Sequence, residues 1–283
     1  GKGMRVVHTN AELGDIFELT QSESLASFGS AEVFVERYLG APRHIEVQVA
    51  GDGKGNGRHY GTRDCSLQRR HQKIVEEAPA PYLSDKLRNR ICVAAVDLIK
   101  SVNYKTVGTV EFLVQGEDFF FLEVNPRIQV EHPVTEAVTG VDLVQEQIRL
   151  AAGLKFSSTQ KEIRISGHSI EVRVNAEDPY TFAPSPGTIT GYHEPGGPGV
   201  RVDSTMHEHA IVQPYYDSLI GKVIVHAADR NQAIRRMTWA IDEMIVEGIK
   251  VTLPIQRILI GTDEFRDGKF STHFVDDWIK NRK

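Results

Sequence analysis

Glu123-Val-Asn-Pro-Arg-Ile-Gln-Val-Glu131 places Glu123, Asn125, Arg127, Gln129 and Glu131 at every second position, with Val124, Pro126, Ile128 and Val130 between them. A strand turns successive side chains to opposite faces, so an extended conformation gives one apolar face and one face bearing a row of convergent polar groups. The row divides by chemistry. Glu123 and Asn125 are hard oxygen donors of the kind magnesium takes, whereas Arg127, Gln129 and Glu131 can hold a small anion and move a proton. A cation beside an anion points to phosphoryl transfer. The competing reading is an amphipathic edge strand with a solvated polar face, and the residues upstream decide against it.

Those residues are Gly108-Thr-Val-Glu-Phe-Leu-Val114, Gln115-Gly-Glu-Asp118 and Phe119-Phe-Phe-Leu-Glu123. They read as a hairpin of two β-rich runs around a glycine-containing turn. Glu111 stands directly opposite Glu123 only if the loop holds an odd number of residues, as 116–118 would supply. Two carboxylates then share one face, which destabilises the pair by roughly 0.2 to 1 kcal/mol unless a positive charge lies between them. A divalent cation removes the conflict. Magnesium keeps water and substrate phosphates as its other ligands, so Glu111, Glu123 and Asn125 suffice as the protein's share of an Mg2+ or Mn2+ site.

The 283 residues are 40% hydrophobic and 25% charged, an ordinary globular composition with room for two domains. A net charge of −5 gives no electrostatic case for nucleic acid as a partner. Cys65 and Cys92 are far apart and unpaired in spacing, which excludes a cysteine-rich zinc site and fits a reducing compartment, the cytoplasm or a mitochondrial matrix. No apolar run reaches the ~20 residues of a spanning helix, so no membrane partner is expected. The chain opens Gly1-Lys-Gly-Met-Arg-Val-Val7, without an initiator Met and directly in a strand pattern, as if cut from something longer. There is no phosphate-binding Gly-Lys-Ser/Thr loop and no dinucleotide fingerprint. The run Gly51-Asp-Gly-Lys-Gly-Asn-Gly57 joins strand-like residues 45–50 and 58–62 and reads as a hairpin loop.

Along the chain, residues 11–28 carry a helical pattern ending near Gly29, and 33–39 return to strand. Ser84-Asp85 caps a helix through Lys100, with Leu87, Ile91, Ala94, Ala95, Leu98 and Ile99 on its inner face. Pro133 introduces a short helix, and 142–152 forms a longer one stopped by Gly153. Polar residues 155–162 read as a crossover and place a domain boundary nearby. Beyond it lie a strand over 168–175, a Pro- and Gly-rich loop over 184–199, a strand over 220–226, and helices over 231–244 and 253–260.

The second dense polar segment is Arg63-Asp-Cys-Ser-Leu-Gln-Arg-Arg-His-Gln-Lys73. A solvated basic loop is the bland reading. Against it, the segment runs through Ile74-Val75 directly into Glu76-Glu77-Ala-Pro-Ala-Pro81, so cations precede a buried turn and then acids. A pre-paired basic patch suits phosphate and bicarbonate.

The runs RDCSLQRRHQK, EEAPAP, GTVEFLV, EVNPRIQVEHPVTE, VNAEDP and YYDSLIGK together resemble the biotin carboxylase component of biotin-dependent carboxylases, over residues 1 to about 274. The resemblance extends to the acetyl-CoA, propionyl-CoA and pyruvate carboxylase types, with fatty acid biosynthesis as one setting. It implies an α+β, ATP-grasp fold with an antiparallel central sheet, followed by a mixed α/β C-terminal domain. Residues 1–38 then correspond to part of the ATP-grasp lid, 39–163 to the ATP-grasp core and 164–283 to the C-terminal domain. The family's first domain and two nucleotide-contacting lysines lie upstream of Gly1. The isolated chain is therefore expected to fold but to show little or no activity.

By this resemblance Glu111 and Glu123 ligate magnesium with Asn125 beside them. Lys73, Arg127, Gln129 and Val130 match the positions that hold bicarbonate, Glu131 the general base, and Arg173 the residue that stabilises the biotin enolate. A salt bridge from Arg173 to Glu171 or Glu177 is the competing reading for that residue. Nucleotide contacts map to Glu36, Arg37, Leu39, His44, Gln68, His71 and Leu113, with Arg37 replacing the commoner Lys. Asp217 lies in a matched run and is read as structural. The implied reaction carboxylates N1 of carrier-bound biotin with bicarbonate and ATP through carboxyphosphate. It implies a biotin carboxyl carrier protein or domain and a carboxyltransferase as partners, and a homodimer in the full-length protein. Another ATP-grasp ligase would share the Glu/Glu/Asn set but lack the RRHQK and RIQVEH pairing. A non-catalytic carrier-docking module is the remaining alternative.

Overall fold

A computed structural model describes residues 3–281, which divide into two units, Gly1–Gly40 and Ala41–Lys283. In the first, α1 (Leu13–Phe28) follows a turn in which Thr9 Oγ1 donates to Glu12 at 2.7 Å. It ends where Gly29 adopts φ 74° and donates its N–H to the Leu25 carbonyl, a left-handed C-terminal cap that glycine takes without strain. The strands expected at 33–39 and near the start do not form: residues 4–8 and 30–39 are irregular, and Gly1 and Lys2 lie outside the described residues. A strand needs a neighbour for its backbone groups, and among its described residues this unit holds none.

The second unit begins with β1 (Arg43–Asp52), β2 (Gly57–Arg69), β3 (Gln72–Ala78), α2 (Asp85–Ser101), β4 (Lys105–Gln115), β5 (Asp118–Asn125), α3 (His132–Thr139) and α4 (Leu143–Ala151). After irregular residues 152–167 come β6 (His168–Asn175), β7 (Gly187–Thr188), β8 (Gly191–His193), β9 (Val200–Ser204), β10 (Ile211–Val212) and β11 (Leu219–Ala227). The unit closes with α5 (Arg230–Glu243), β12 (Ile245–Glu247), α6 (Leu253–Leu259), α7 (Asp263–Arg266) and α8 (Phe274–Lys280). Eight strands form one sheet, β5-β4-β1-β2-β3-β6-β11-β9, antiparallel at every junction. The fold is α+β, as expected, with an antiparallel central sheet.

Alternation along the strands sorts the two faces. Ile45, Val47 and Val49 of β1 bury against Leu87, Ile91, Ala95 and Ile99 of α2, whose first turn is capped by Ser84 accepting from the Leu87 N–H. Ile170, Val172 and Val174 of β6, with Val223 and Val225 of β11, bury against Ala233, Ile234 and Met237 of α5. The intervening residues His44, Glu46, Gln48, Glu171 and Arg173 therefore face the other way, the side on which α3 packs over β2, β3, β6 and β11. The segment expected as loop, 184–199, contains β7 and β8, and β9, β10, β12, α7 and α8 were not anticipated. Pieces of two to seven residues, α8 the longest of them, are too short for a period to register.

Glu77 joins β3, β6 and α5. His168 Nε2 donates to it at 2.6 Å, and Arg230 donates through Nε at 2.7 Å and Nη2 at 3.0 Å. Burial opposes its ionisation, but His168 and Arg230 outweigh that and hold the carboxyl at about 2 against an ordinary 4.5. A depressed carboxyl stabilises the fold fully above its unfolded value and loses that contribution as pH falls through the folded one. Urea unfolding of Glu77→Gln between pH 4.5 and 2 is expected to show a shallower acid loss than wild type. The missing contribution is on the order of 3 kcal/mol. An unchanged acid slope would refute the assignment.

Candidate active site

Register carries a row of ionisable side chains across the polar face of the sheet. Glu123 of β5 pairs with Glu111 of β4, Glu111 with Glu46 of β1, and Glu46 with Arg63 of β2. Further along, Glu76 of β3 pairs with Glu171 of β6, and Arg173 of β6 with Lys222 of β11. Two bulges make the row possible. In the β4–β5 hairpin the ladder runs Gln115 to Asp118, so the loop has two residues rather than an odd number; Leu122 is the extra residue that brings Glu123 opposite Glu111. In β3, Gln68 pairs with Lys73 but Leu67 with Val75, so the extra residue Ile74 brings Lys73 onto the same face as Glu76.

Lys73 is the hub. Its Nζ donates to Glu46 Oε2 at 2.7 Å, Glu111 Oε1 at 3.0 Å and Glu131 Oε1 at 2.6 Å. Burial alone would lower its pKa, but Glu46, Glu131 and Glu111 drive it upward, so it stays an ammonium. Glu46, opposed by burial, is held at about 2 by Arg63 and Lys73. Arg63 has no exposed surface and forks to Glu46, Gln48, Thr135, Thr109 and Gln129 at 2.5 to 3.1 Å. Gln129 Nε2 in turn donates to Glu111 Oε1 at 2.8 Å, and His44 Nε2 lies 2.8 Å from Glu111 Oε2. Burial works against the Glu111 carboxylate, yet these donors and Lys73 hold its pKa far below the ordinary range.

The expected cation ligands converge. Asn125 Nδ2 donates to Glu111 Oε1 and to Glu123 Oε1, both at 3.0 Å, so one group lies between two cross-strand carboxylates. The two carboxylates are hard oxygen donors that fit magnesium; Asn125 turns its NH2 to them and its oxygen to Arg127, so it would add a third oxygen only with the amide reversed. Residues 123–131 are not extended throughout. β5 ends at Asn125, because Pro126 has no N–H to continue the ladder, and 127–131 turn into α3. Gln129 and Glu131 are nevertheless buried in the site, while Arg127 stays exposed. Its guanidinium donates to Asn125 Oδ1 and to the Ile128 carbonyl, both at 3.2 Å, which places it on the Asn125 side of the cluster. The Val130 carbonyl accepts from Lys222 Nζ at 2.5 Å.

Arg173 pairs with neither Glu171 nor Glu177. Its Nε donates to Glu76 Oε1 at 2.6 Å and its Nη2 to Glu131 Oε2 at 3.0 Å. Glu131 is thereby held between two cations, Lys73 on one oxygen and Arg173 on the other. Of the expected nucleotide positions, His44 and Gln68 are buried side by side, with Gln68 Nε2 3.4 Å from His44 Nδ1. Leu113 is paired to His44 across the β1–β4 junction, and His71 is exposed at the β2–β3 turn with φ 68°. Glu36, Arg37 and Leu39 fall in the irregular end of the first unit.

Residues 1–159 match the family profile described as carbamoyl-phosphate synthase L chain, ATP binding domain, and residues 171–277 match the biotin carboxylase C-terminal domain. The chain belongs to the biotin carboxylase family. It is 51% identical to a pyruvate carboxylase component of Methanothermobacter thermautotrophicus, over 98% of this chain and 57% of that one. It is 49% identical to biotin carboxylase of Pseudomonas aeruginosa, over 98% of this chain and 62% of that one. The chain thus spans about three fifths of these relatives. Among solved structures, biotin carboxylase of Campylobacter jejuni in complex with a β,γ-ATP compound superposes with a TM-score of 0.93 at 44% identity, covering 98% of this chain and 62% of that one. The biotin carboxylase domain dimer of the Hydrogenobacter thermophilus 2-oxoglutarate carboxylase, complexed with MgADP, ADP and bicarbonate, gives 0.91 at 44% identity, covering 98% and 61%.

Five residues of this site, Glu46, Arg63, Glu76, Glu171 and Lys222, do not stand out in the sequence. Glu46 had a readable signal, since with His44 and Gln48 it alternates with Ile45, Val47 and Val49 in a strand apolar on one face. Arg63 opens the basic run and reads there like its solvated neighbours. Glu76, Glu171 and Lys222 meet only through pairing of distant strands, which no local pattern reveals.

Proposed function

We propose that the protein carboxylates carrier-bound biotin with bicarbonate, using ATP and magnesium, through carboxyphosphate. Residues 1–38 act as part of the lid, 39–163 as the ATP-grasp core and 164–283 as the C-terminal domain, the last two joined through β3 and β6. The observation that carries the reading is Glu131, a carboxylate held at 2.6 Å by Lys73 and at 3.0 Å by Arg173 beside the Glu111–Asn125–Glu123 cluster.

Glu111, Glu123 and Asn125 would hold the magnesium, which supplies charge neutralisation for the phosphates. Lys73, Arg127, Gln129 and the backbone of Val130 hold bicarbonate. When that anion takes up the cations now bound to Glu131, one carboxylate oxygen is freed to accept the bicarbonate proton. The resulting carbonate oxygen bonds to the γ-phosphorus of ATP as the bond to ADP breaks, giving carboxyphosphate; the protein contributes position and charge. Carboxyphosphate divides into CO2 and phosphate, and phosphate takes the N1 proton of biotin. The biotin N1 then bonds CO2 while Arg173 faces the negative ureido oxygen. His44, Gln68, His71 and Leu113, with Glu36, Arg37 and Leu39, serve the nucleotide.

A biotin carboxyl carrier protein or domain and a carboxyltransferase are the partners, a homodimer the assembly, and the cytoplasm or mitochondrial matrix the compartment. No helix among the described residues is long and apolar enough to cross a membrane. The test is ADP release by the full-length protein with ATP and magnesium, with and without bicarbonate and free biotin, the isolated chain being expected to release little. ADP release should require bicarbonate and rise with biotin; release indifferent to bicarbonate would overturn the reading.

A further inference from the structure

We infer that Glu76 and Glu171 form a buried carboxyl pair sharing one proton, carried on Glu171, and that this pair positions the Arg173 guanidinium. The two residues are directly opposed in the β3–β6 ladder, and both have no exposed surface. Opposed side chains of an antiparallel pair stand about 5 Å apart at Cβ, within reach of one another's carboxyl oxygens. Neither oxygen of Glu171 has a hydrogen-bond donor among the described residues, and Glu76 Oε2 has none either.

The cations nearby are already engaged. Lys73 on β3 serves Glu46, Glu111 and Glu131. Arg173 on β6 serves Glu76 and Glu131. Lys222 on β11 bonds the Val130 carbonyl and lies 3.6 Å from Asp203. Glu131, in the turn before α3, adds a further negative charge. Two ionised carboxylates facing each other here would leave a buried anion with no donor, which costs several kcal/mol. One proton removes the excess charge and supplies the missing donor, from the Glu171 hydroxyl to Glu76 Oε2. Burial, then the charge of Glu76, pushes the Glu171 carboxyl well above its ordinary value; burial also raises Glu76, against the pull of Arg173. With Glu171 neutral, Arg173 has a single anion behind it at Glu76 and keeps its other arm on Glu131. Glu171 is thus a positioning residue.

The consequence for turnover rests on the biotin carboxylase reading; the proton itself does not. Infrared spectra of the protein near neutral pH should show the carbonyl-stretch band of a protonated carboxyl group, absent from Glu171→Gln, whose neutral amide can replace the donor. No such band in wild type, or one unchanged in Glu171→Gln, would overturn the pair. The band should titrate away as pH rises, at a lower midpoint in Glu76→Gln, where the opposing charge is gone; an equal midpoint would refute the sharing. The linked stability has the opposite sign to that of Glu77. A raised carboxyl contributes fully below its unfolded value of about 4.5 and loses that contribution as pH rises through the folded one, so Glu171→Gln should lose this alkaline slope. Turnover should fall with rising pH at the band midpoint in wild type and not in Glu171→Gln. The same fall in both would refute positioning, whereas a band without any bicarbonate-dependent turnover of the full-length protein would sink the proposed function and leave the pair standing.

Discussion

In the full-length protein, Glu131→Gln is expected to lower bicarbonate-dependent turnover by at least about 100-fold, the lower range for removing a general base, while leaving nucleotide binding in place. The substitution keeps the size of the side chain and one oxygen to accept from Lys73 or Arg173, but its NH2 cannot accept from the other cation and an amide cannot take the proton of bicarbonate. The fold should tolerate it. Lys73 retains Glu46 and Glu111, and Arg173 retains Glu76, so neither cation is left buried without an anion. Steady-state rates with bicarbonate as the varied substrate, with nucleotide titration of the same variant, make the measurement. A loss within about tenfold, or about 1.4 kcal/mol in the barrier, is too small for the base and would reassign Glu131 to charge balance between its two cations.

What the sequence made legible were features fixed by local chemistry. Ser84 before an amphipathic run places the cap of α2, and the alternation of 168–175 matches β6. The facing of Glu111 and Glu123 was legible as a requirement and not as a mechanism. The parity argument asked for an odd loop, and the chain meets it with a two-residue turn and a bulge at Leu122. A bulge is a one-residue defect in pairing and leaves no periodic trace. The straight reading of 123–131 failed at Pro126, which ends the ladder and lets Gln129 and Glu131 enter the site from a turn. Alternation there indicates the right residues by the wrong geometry. Least legible was the pairing of Glu76 with Glu171, which depends on β6 crossing to lie beside β3 after the whole β4–α4 segment. Residue roles came from the family resemblance, because spacing alone distinguishes a ligand from a buried ion pair only when the partners are near in sequence.

Arg63→Met should be the most destabilising single change in the site, at about 3 to 5 kcal/mol, the range for breaking a buried ion pair by removing one partner. Arg63 touches no proposed substrate position directly except through Gln129. It binds β1 through Glu46 and Gln48, β4 through Thr109, α3 through Thr135, and the turn before α3 through Gln129. Methionine fills much of the volume but leaves Glu46, which has no exposed surface, with Lys73 as its remaining cation. It also frees Gln129, whose amide donates to Glu111, so the metal and bicarbonate sides of the site loosen together. Glu46 is held at about 2 chiefly against burial by Arg63, so its ionised form stabilises the fold above about 4.5 and ceases to as pH falls through the lower value. In Arg63→Met that acid-side loss should shrink, because the group holding the carboxyl down is gone. The partner test is Arg63→Met combined with Glu46→Leu, which removes the stranded charge along with its counterion. Chemical unfolding should find the double variant more stable than the sum of the two single losses by more than about 1 kcal/mol, as expected for groups in direct contact. Additive losses, or a single-variant loss below about 1 kcal/mol, would mean that the guanidinium is solvated in solution and that the polar face of the sheet is held together by α3 packing instead.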